Sequence, residues 1–463
     1  MNYNKNQEIK LQINDIGAEG EGVGRTEDGA TFFVKGALPG EKVTASVMKW
    51  KKSYGYARRM SFDSVSPDRT EPVCPLASKC GGCTLQHLSY DKQLEWKQNK
   101  VYNCIKRLGG FDEVPMEKIR GAEKPFYYRN KAQFPVNNGN DGKIKLGFYA
   151  NHTHSVIDTD HCFIQSDVMN ELLGTIRRYA DENHVAAYDE TTGKGILRHI
   201  LVRVGVNTRE VCLCPVINGK KLPEWESLYK QSCETCKKLN YELTSFCVDY
   251  NTEDTNVILS EKFECLAGRP FIYDSIGELT YRISPLSFYQ VNPVQTKVIY
   301  DTVKEFAALS GKENLWDIYC GTGTIGMYLA RDAKKLVGIE IIPEAVADAK
   351  ENASYNHIEN AEFYVGAAEE VLPKLVTGAA SEETVAVIDP PRKGCDPVLL
   401  NTLLTLSPDR IVYVSCDPAT LARDLRILCN GGYDLKKVRP VDAFCQTIHV
   451  ETVVLLEHVS LNN

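Results

Sequence analysis

One cysteine of this sequence stands where an enzyme could use it as a nucleophile. Residues 411–415 form an apolar, mostly β-branched run typical of a buried strand, Cys416 follows, and Asp417 with Pro418 opens a segment of helical character. A thiol at the carboxyl end of a strand lies where α/β sheets bind ligands. The amino end of the following helix would lower the thiol pKa and favour the thiolate. The alternative is an inert core cysteine, since the chain has 16 cysteines.

A carboxylate, Glu451, is a possible partner for that thiol. Glu451 precedes the apolar run 452–456, which has the pattern of a strand. If this strand runs antiparallel beside residues 411–415, its amino end lies at the same sheet edge as the carboxyl ends of its neighbours. We therefore predict that Glu451 lies near Cys416, where the two could act as general base and covalent nucleophile. A solvated charge at a strand end is the alternative.

A glycine-rich loop indicates a site for a nucleotide-like cofactor. The strand-like residues 314–319 are followed by the sequence GTGTIG at 321–326, which opens a helix. The next strand-like segment, 334–340, ends in Glu340. This loop fits a dinucleotide as well as S-adenosylmethionine, and an acid at Glu340 would bind ribose hydroxyls in either case.

Two further features favour S-adenosylmethionine over a dinucleotide. Asp317 lies on the strand before the glycine loop, and Asp389, followed by two prolines, ends a later strand. The chain then closes with the strand-like segments 433–441 and 449–459, which suggest an antiparallel pair. Strands that alternate with helices predict a mostly parallel sheet. The layout resembles class I methyltransferases.

Three cysteines in one short loop, with a fourth further on, indicate a metal centre. Cys74, Cys80 and Cys83 lie within ten residues of a glycine-containing loop, and Cys162 is the best candidate for a fourth ligand. Soft thiolates in this arrangement suit an iron–sulfur cluster or tetrahedral zinc, and the spacing leaves both open. Plain structural cysteines are a third possibility. The spacing is not the CxxxCxxC of radical enzymes that cleave S-adenosylmethionine, which argues against methylthiolation.

The amino-terminal region has the pattern of a small nucleic-acid-binding barrel. Residues 8–48 contain short alternating strands broken by glycines, as in barrels of the OB type. Cations then alternate with aromatic rings, as binding of single-stranded RNA or DNA requires. The cations are Lys49, Lys51, Lys52, Arg58 and Arg59, and the rings are Trp50, Tyr54 and Tyr56. A solvated barrel edge is the alternative, and the segment VKGALPGE resembles the TRAM domain.

Composition and charge limit the class of protein. The 463 residues should hold about three domains. A net charge of −7 does not by itself suggest nucleic acid, so local patches decide. No apolar stretch approaches the roughly 18 residues of a membrane span, and no signal peptide is evident. We therefore expect a cytoplasmic protein whose cysteines stay reduced. On this view Cys233 and Cys236 are an incidental CxxC, and Cys212 and Cys214 are packing residues.

A thiolate and a carboxylate beside a methyl donor suit methylation of uracil at C5. Uracil C5 is too weak a nucleophile to attack a sulfonium methyl group unaided. A thiolate that adds to C6 makes C5 nucleophilic, and after methyl transfer a base must remove the C5 proton before the cysteine can leave. In folded RNA the target base must also be flipped out of its stack.

With these motifs, the sequence resembles the RNA (uracil-5-)-methyltransferases nearly end to end. Within that family it is most similar to the bacterial 23S rRNA group that carries a TRAM domain and an iron–sulfur cluster. The matching motifs are SCDPATLARDL, HVETV, SFYQVN, DIYCGTGTIG and DPPRKG. They imply Cys416 as nucleophile, Glu451 as base, and contacts to S-adenosylmethionine by Gln290, Tyr319, Glu340 and Asp389. The four cysteines match the ligands of a 4Fe–4S cluster, so the resemblance favours iron–sulfur over zinc.

The sequence departs from the family pattern at two places near the expected cofactor site. Thr324 stands where some members have asparagine, and Ala367 replaces a polar contact to S-adenosylmethionine. Either change could loosen cofactor binding without altering the chemistry.

The resemblance implies three domains. Residues 1–62 would form the TRAM barrel, residues 63–282 a central α+β iron–sulfur domain, and residues 283–463 a class I S-adenosylmethionine-dependent methyltransferase domain with a seven-stranded, mostly parallel sheet. Part of 88–117 can pack on the catalytic domain. We expect a monomer that binds 23S rRNA, with no membrane association.

Three other functions compete with this interpretation. The same chemistry on tRNA is one. Cytosine-5 methylation is another, but it needs an acid that protonates cytosine N3, and the sequence offers no good candidate. A non-catalytic RNA-binding assembly factor is the third, and the intact Cys416 and Glu451 argue against it.

Overall fold

The computed structural model describes residues 2–151, 153–260, 262–375 and 383–459. A closed barrel, a seven-stranded sheet, a two-stranded hairpin and a second seven-stranded sheet follow one another along the chain. Within those residues, no helix has the length and apolar character needed to cross a membrane.

The amino-terminal unit is a closed five-stranded barrel with strand order β1-β2-β3-β5-β4. Its strands are β1 Glu8–Ile16, β2 Gly22–Arg25, β3 Thr31–Val34, β4 Lys42–Trp50 and β5 Tyr54–Ser64. Side chains alternate across each strand, so Ile9, Leu11 and Ile13 of β1 point into the barrel core while the residues between them face outward. The predicted barrel is confirmed.

The segment after the cysteine loop forms helix α1, Tyr90–Asn103. It continues as a π-helical turn, Cys104–Leu108, and two glycines follow. Val101 and Ile105 pack into the core on one face of the carboxyl-terminal sheet. The helix therefore belongs by its contacts to that sheet, although it lies more than 200 residues before it in sequence.

The central unit is a seven-stranded sheet in the order β12-β11-β10-β9-β6-β7-β8, with two helices. Its strands are β6 Lys131–Asn138, β7 Ile144–Tyr149, β8 Val156–Asp158, β9 Leu197–Val204, β10 Glu210–Ile217, β11 Glu242–Tyr250 and β12 Phe263–Gly268, and its helices are α2 Asp167–Glu182 and α3 Trp225–Lys238. Cys212 and Cys214 are buried on β10 and pack there, whereas Cys233 and Cys236 lie on α3.

The hairpin β13 Ile272–Ile276 and β14 Leu279–Ile283 leads into helix α4, Pro293–Ala307. The carboxyl-terminal sheet follows, in the order β17-β16-β15-β18-β19-β21-β20. Its strands are β15 Asn314–Ile318, β16 Lys335–Glu340, β17 Ala361–Val365, β18 Thr384–Ile388, β19 Arg410–Ser415, β20 Tyr433–Val441 and β21 Glu451–His458. Its helices are α5 Thr324–Ala330, α6 Pro343–Tyr355, α7 Ala368–Leu375, α8 Pro397–Leu406 and α9 Pro418–Asn430.

Among the described strands of this sheet, β21 has the opposite direction to the others, since it pairs antiparallel with both β19 and β20. The prediction of a mostly parallel, seven-stranded sheet is confirmed. Both faces of the sheet are covered, which explains the continuous apolar runs. On β18, Val385 and Val387 pack into one core while Ala386 and Ile388 pack into the other.

Candidate active site

Cys416 lies between the end of β19 and the start of α9, as the sequence predicts. The Asp417 side chain caps this helix by accepting the backbone N–H groups of Ala419 and Thr420 at 2.9 and 3.0 Å. Burial, together with the carboxyl groups of Glu451 and Asp389, raises the pKa of the Cys416 thiol to about 11. The expectation of a lowered pKa is therefore wrong for the free protein, because burial and these carboxyl groups outweigh the lowering effect of the Arg392 guanidinium.

Glu451 is the first residue of β21, and the strand register places it beside the cysteine. Ser415, the last residue of β19, pairs with Thr452. Glu451, which precedes Thr452, therefore lies across from Cys416, which follows Ser415. Glu451 is only 4% exposed. Burial and the nearby Asp389 raise the pKa of its carboxyl group to about 8. A base whose pKa lies near the working pH is well suited to removing a proton.

Two charged groups from the segment after β18 face this pair. Burial, with Asp317 nearby, raises the pKa of Asp389 to about 7. Arg392 is exposed and acts in the opposite direction, since its guanidinium lowers the pKa values of both Cys416 and Glu451. Arg392 was not predicted as a site residue, although the motif DPPRKG contains it.

The glycine loop opens a space beside the end of β15. Gly321 and Gly323 adopt φ values of 54° and 77°, in the left-handed region that favours glycine. A Cβ atom at Gly321 would meet no other atom within 4 Å, so the backbone there borders open space. The Glu340 carboxylate holds the loop by accepting the N–H groups of Gly321 at 3.1 Å and Ile342 at 3.0 Å. A loop of this shape fits a nucleoside-bearing ligand.

The other residues expected at the cofactor site have different surroundings. Tyr319 has a φ of 64°, so β15 ends at Ile318, one residue before the predicted end. The half-buried ring of Tyr319 packs in the same core as Cys395. Gln290 is half-buried in the connection before α4, where its carbonyl accepts the Asn130 amide at 3.0 Å. Thr324 forms a hydrogen bond with the Tyr300 hydroxyl at 2.6 Å.

Asp317 supports the glycine loop, whereas Ala367 holds the first turn of helix α7. The Asp317 carboxylate accepts the Gly326 N–H at 2.8 Å, which ties β15 to α5. Ala367 lies at the start of α7, and its carbonyl accepts the N–H groups of Glu370 and Val371, both at 3.0 Å. Its methyl side chain brings no polar group to the site, in agreement with the departure noted in the sequence.

The four cysteines of the second candidate site lie close together. Cys74, Cys80 and Cys162 line a cavity of about 20 Å³, and the Gly82 N–H points at Cys80 Sγ from 3.3 Å. Burial and the other three thiols raise the pKa of Cys83 to about 12. Among the described residues, no three His, Cys, Asp or Glu side chains are placed to hold a single metal ion. As a donor set, four neighbouring thiols are of the type that iron–sulfur clusters use.

Three outward-facing rings form a cluster on the barrel. The Phe33 ring lies 5.6 Å from Tyr54 and 5.7 Å from Tyr56, and Lys51 Nζ stands 5.1 Å from the Tyr54 centroid. Partly exposed rings beside a cation suit base stacking. Trp50, which the sequence suggested as a stacking ring, instead packs against Tyr3 and Phe32 at 4.9 and 5.2 Å.

Phe33 was not among the stacking rings predicted from the sequence, although the alternation of side chains in TFFV at 31–34 indicates its outward position. Because Phe32 of β3 is buried in the barrel core, its neighbour Phe33 must face outward.

Two known families match parts of the chain, one at each end. The tRNA (Uracil-5-)-methyltransferase family matches residues 274–459, and the TRAM domain matches residues 4–59. A Clostridium acetobutylicum protein named as an uncharacterized RNA methyltransferase is 46% identical over 457 residues, with 98% of each chain covered. A Halalkalibacterium halodurans protein of the same description is 45% identical over 454 residues, also with 98% of each chain covered.

A solved structure has the same overall architecture. The Pyrococcus abyssi tRNA (uracil-54, C5)-methyltransferase, crystallised with S-adenosyl-L-homocysteine, superposes with a TM-score of 0.78 at 28% identity. The match covers 97% of this chain and 99% of that one. It therefore extends over the barrel, the central sheet and the carboxyl-terminal sheet together.

Proposed function

Because the chain belongs to the RNA (uracil-5-)-methyltransferase family, we propose that it methylates C5 of a specific uridine in 23S rRNA through a covalent Cys416 adduct. The observation that carries the proposal is the pairing of Ser415 with Thr452. This register brings Glu451 next to Cys416 at the edge of the sheet where β18 ends in Asp389 and β15 runs into the glycine loop.

In the proposed mechanism Cys416 is the covalent nucleophile. The thiol loses its proton to solvent, and Sγ forms a bond to C6 of the flipped uracil while electrons move to O4. S-adenosylmethionine supplies the methyl group as an electrophilic sulfonium. As the C4–O4 double bond re-forms, the enolate carbon C5 takes that methyl group, and the electrons of the broken S–CH3 bond stay on sulfur as the donor leaves as a neutral thioether. C5 then carries both a methyl group and a hydrogen.

Glu451 completes the reaction as the general base. Its carboxylate takes the C5 proton, the C5–H electrons form the C5–C6 double bond, and the Sγ–C6 bond breaks to return Cys416 as a thiolate. The product is 5-methyluridine. Glu451 is buried away from solvent, so proton removal happens where water does not compete for the carboxylate.

For the methyl donor, the residues of the glycine loop fit the expected site. We assign the ribose to Glu340, whose carboxylate lies against the loop, and the space beside Gly321 to the rest of the ligand. Gln290, Tyr319 and Asp389 are the further proposed contacts. Asp389 also stands beside Glu451, so it would link the donor site to the base.

We further propose that Cys74, Cys80, Cys83 and Cys162 hold a 4Fe–4S cluster with a structural role in shaping the RNA-binding surface. The support is the donor set: four thiols from two distant segments gather at one place. We expect about four iron atoms per chain after anaerobic purification of the wild type, and loss of iron in Cys80→Ala. Cys233→Ala, on helix α3, is the matched control and should keep its iron.

A structural role of the cluster predicts a second property of the Cys80→Ala variant. It should bind RNA more weakly than the wild type, as measured by filter binding with a 23S rRNA fragment. Normal RNA affinity together with normal folding would show that the cysteine site does not shape the RNA-binding surface.

The choice between rRNA and tRNA is tested by mapping the product. The resemblance to the cluster-bearing rRNA group favours 23S rRNA, whereas the Pyrococcus abyssi enzyme is named for uridine 54 of tRNA. We expect 5-methyluridine in 23S rRNA fragments incubated with the protein and S-adenosylmethionine, with unmodified tRNA transcripts as the parallel substrate. Methylation of the tRNA alone would establish the alternative substrate, and methylation of neither would remove the proposed function.

A further inference from the structure

The connection between β20 and β21 is held by distant parts of the chain. We call residues 442–450 the base loop, because Glu451 follows them directly. Six of its carbonyl oxygens accept hydrogen bonds from outside the carboxyl-terminal sheet. The pairs are Gln295 Nε2 to Asp442 O (3.1 Å), Asn292 Nδ2 to Ala443 O (3.1 Å), Lys97 Nζ to Phe444 O (3.0 Å), the Tyr128 hydroxyl to Cys445 O (3.0 Å), the Thr84 and Leu85 N–H groups to Gln446 O (3.0 and 3.1 Å), and Lys100 Nζ to Ile448 O (3.2 Å).

These bonds make the base loop unlike an ordinary surface connection. Loops usually lie at the surface, where water satisfies their backbone groups. Here seven of the nine residues are buried, and protein groups satisfy the carbonyl oxygens instead. A buried backbone held by hydrogen bonds to other parts of the protein opens rarely. The loop is therefore built to hold one position.

The central contact is an ion pair between helix α1 and the base loop. Lys97 Nζ lies 2.5 Å from Asp442 Oδ1, and both side chains are completely buried. The second carboxylate oxygen accepts the Tyr90 hydroxyl at 2.8 Å. A buried ion pair adds little net stability, because desolvation offsets the attraction between the charges. Its geometry is strict, however, so it can fix the position of the base loop relative to helix α1.

Gln446 shows that the loop is held in a strained shape. Its φ of 68° lies in the left-handed region, which is unfavourable for a residue with a side chain. Gln93 of helix α1 donates to its side-chain oxygen at 3.0 Å. Strained backbone persists only where the surrounding structure determines it. Helix α1 thus contacts the base loop at one end through Lys97 and in its middle through Gln93.

We propose that Lys97 and Asp442 are positioning residues for the general base. They hold the base loop so that the Glu451 carboxylate reaches the C5 proton. The inference rests on the proposed function, because it assigns Glu451 the proton-removal step. The nucleophile is carried by a different segment, between β19 and α9. Disturbing the ion pair should therefore slow release of the adduct while leaving its formation nearly unchanged.

The test is the double variant Lys97→Met with Asp442→Asn. Replacing both charges avoids an unpaired buried charge, and asparagine can still accept the Tyr90 hydroxyl. Single-turnover reactions with S-adenosylmethionine and a 23S rRNA fragment are quenched in denaturant at successive times. We expect adduct formation within about threefold of the wild type and adduct resolution slowed at least tenfold. Lys92→Met, on the exposed face of the same helix, should match the wild type in both steps.

The outcomes of this experiment separate the positioning role from the covalent mechanism. Equal slowing of both steps, or no change in resolution, would overturn the positioning role. If the double variant does not fold, Lys97→Arg serves instead, since it keeps the charge but changes the geometry, and the same selective slowing is expected. A wild type that forms no adduct at any time would count against the covalent mechanism and not against the role of the ion pair.

Discussion

The Glu451→Gln variant is expected to remain covalently attached to its RNA after denaturation. Glutamine cannot take the C5 proton, so methyl transfer proceeds and elimination of Cys416 stalls. General-base catalysis contributes roughly 10²–10⁴-fold, and turnover should fall by that factor. The measurement is a denaturing gel of the variant after incubation with S-adenosylmethionine and a labelled rRNA fragment, in which the protein band should carry the label.

Cys416→Ala is the matched control, because it removes the nucleophile at the same sheet edge. It should give neither adduct nor 5-methyluridine. The combination Cys416→Ala with Glu451→Gln should also give no adduct, which would identify Cys416 as the attached residue. Unimpaired turnover of Glu451→Gln, without adduct, would remove Glu451 from its role as base.

The same substitution should stabilise the free protein at alkaline pH. Burial raises the Glu451 pKa from 4.5 to about 8, so the folded state binds a proton that the unfolded state has already lost between those two values. The stability contributed by this carboxyl group is therefore full below about pH 4.5, falls as pH rises towards 8, and stays lost above it. Glu451→Gln removes the buried charge and should raise the free energy of unfolding at pH 9 by about 2–4 kcal/mol.

Chemical unfolding at pH 5 and pH 9 checks this expectation. The advantage of the variant should appear at pH 9 and nearly vanish at pH 5, where Glu451 is protonated in the folded wild type. Glu457→Gln, at a half-exposed position of the same strand, serves as the control and should show no such dependence. An advantage of equal size at both pH values would mean that Glu451 is not the origin of the effect.

Much of the site was accessible from the sequence because it lies at strand ends. In a parallel sheet the carboxyl ends of the strands share one edge, so Cys416 and Asp389 could be placed together from chain order alone. The placement of Glu451 needed one further step, the antiparallel insertion of β21, and the register of that strand agrees with it.

What the sequence could not show depends on tertiary burial. The raised pKa of Cys416 arises first from burial and then from the carboxyl groups of Glu451 and Asp389, whereas the sequence displays only the adjacent helix. Lys97 looks like an ordinary helix-surface lysine, since its partner Asp442 is 345 residues away. Trp50 alternates with cations in the sequence and yet packs with Tyr3, because the pairing of β4 with β5 is irregular between Val47 and Lys49 and shifts the alternation of side chains before Trp50.

The separation between Lys97 and Asp442 also orders events during protein synthesis. A ribosome adds roughly 5–20 residues per second, so helix α1 emerges roughly 17–70 s before its partner in the base loop. Throughout that interval the carboxylate that pairs with Lys97 in the folded protein has not yet been made. If Lys97 and Asp442 position the general base as proposed, the docking of helix α1 on the base loop is a late folding step that the new enzyme needs before it can release its RNA adduct.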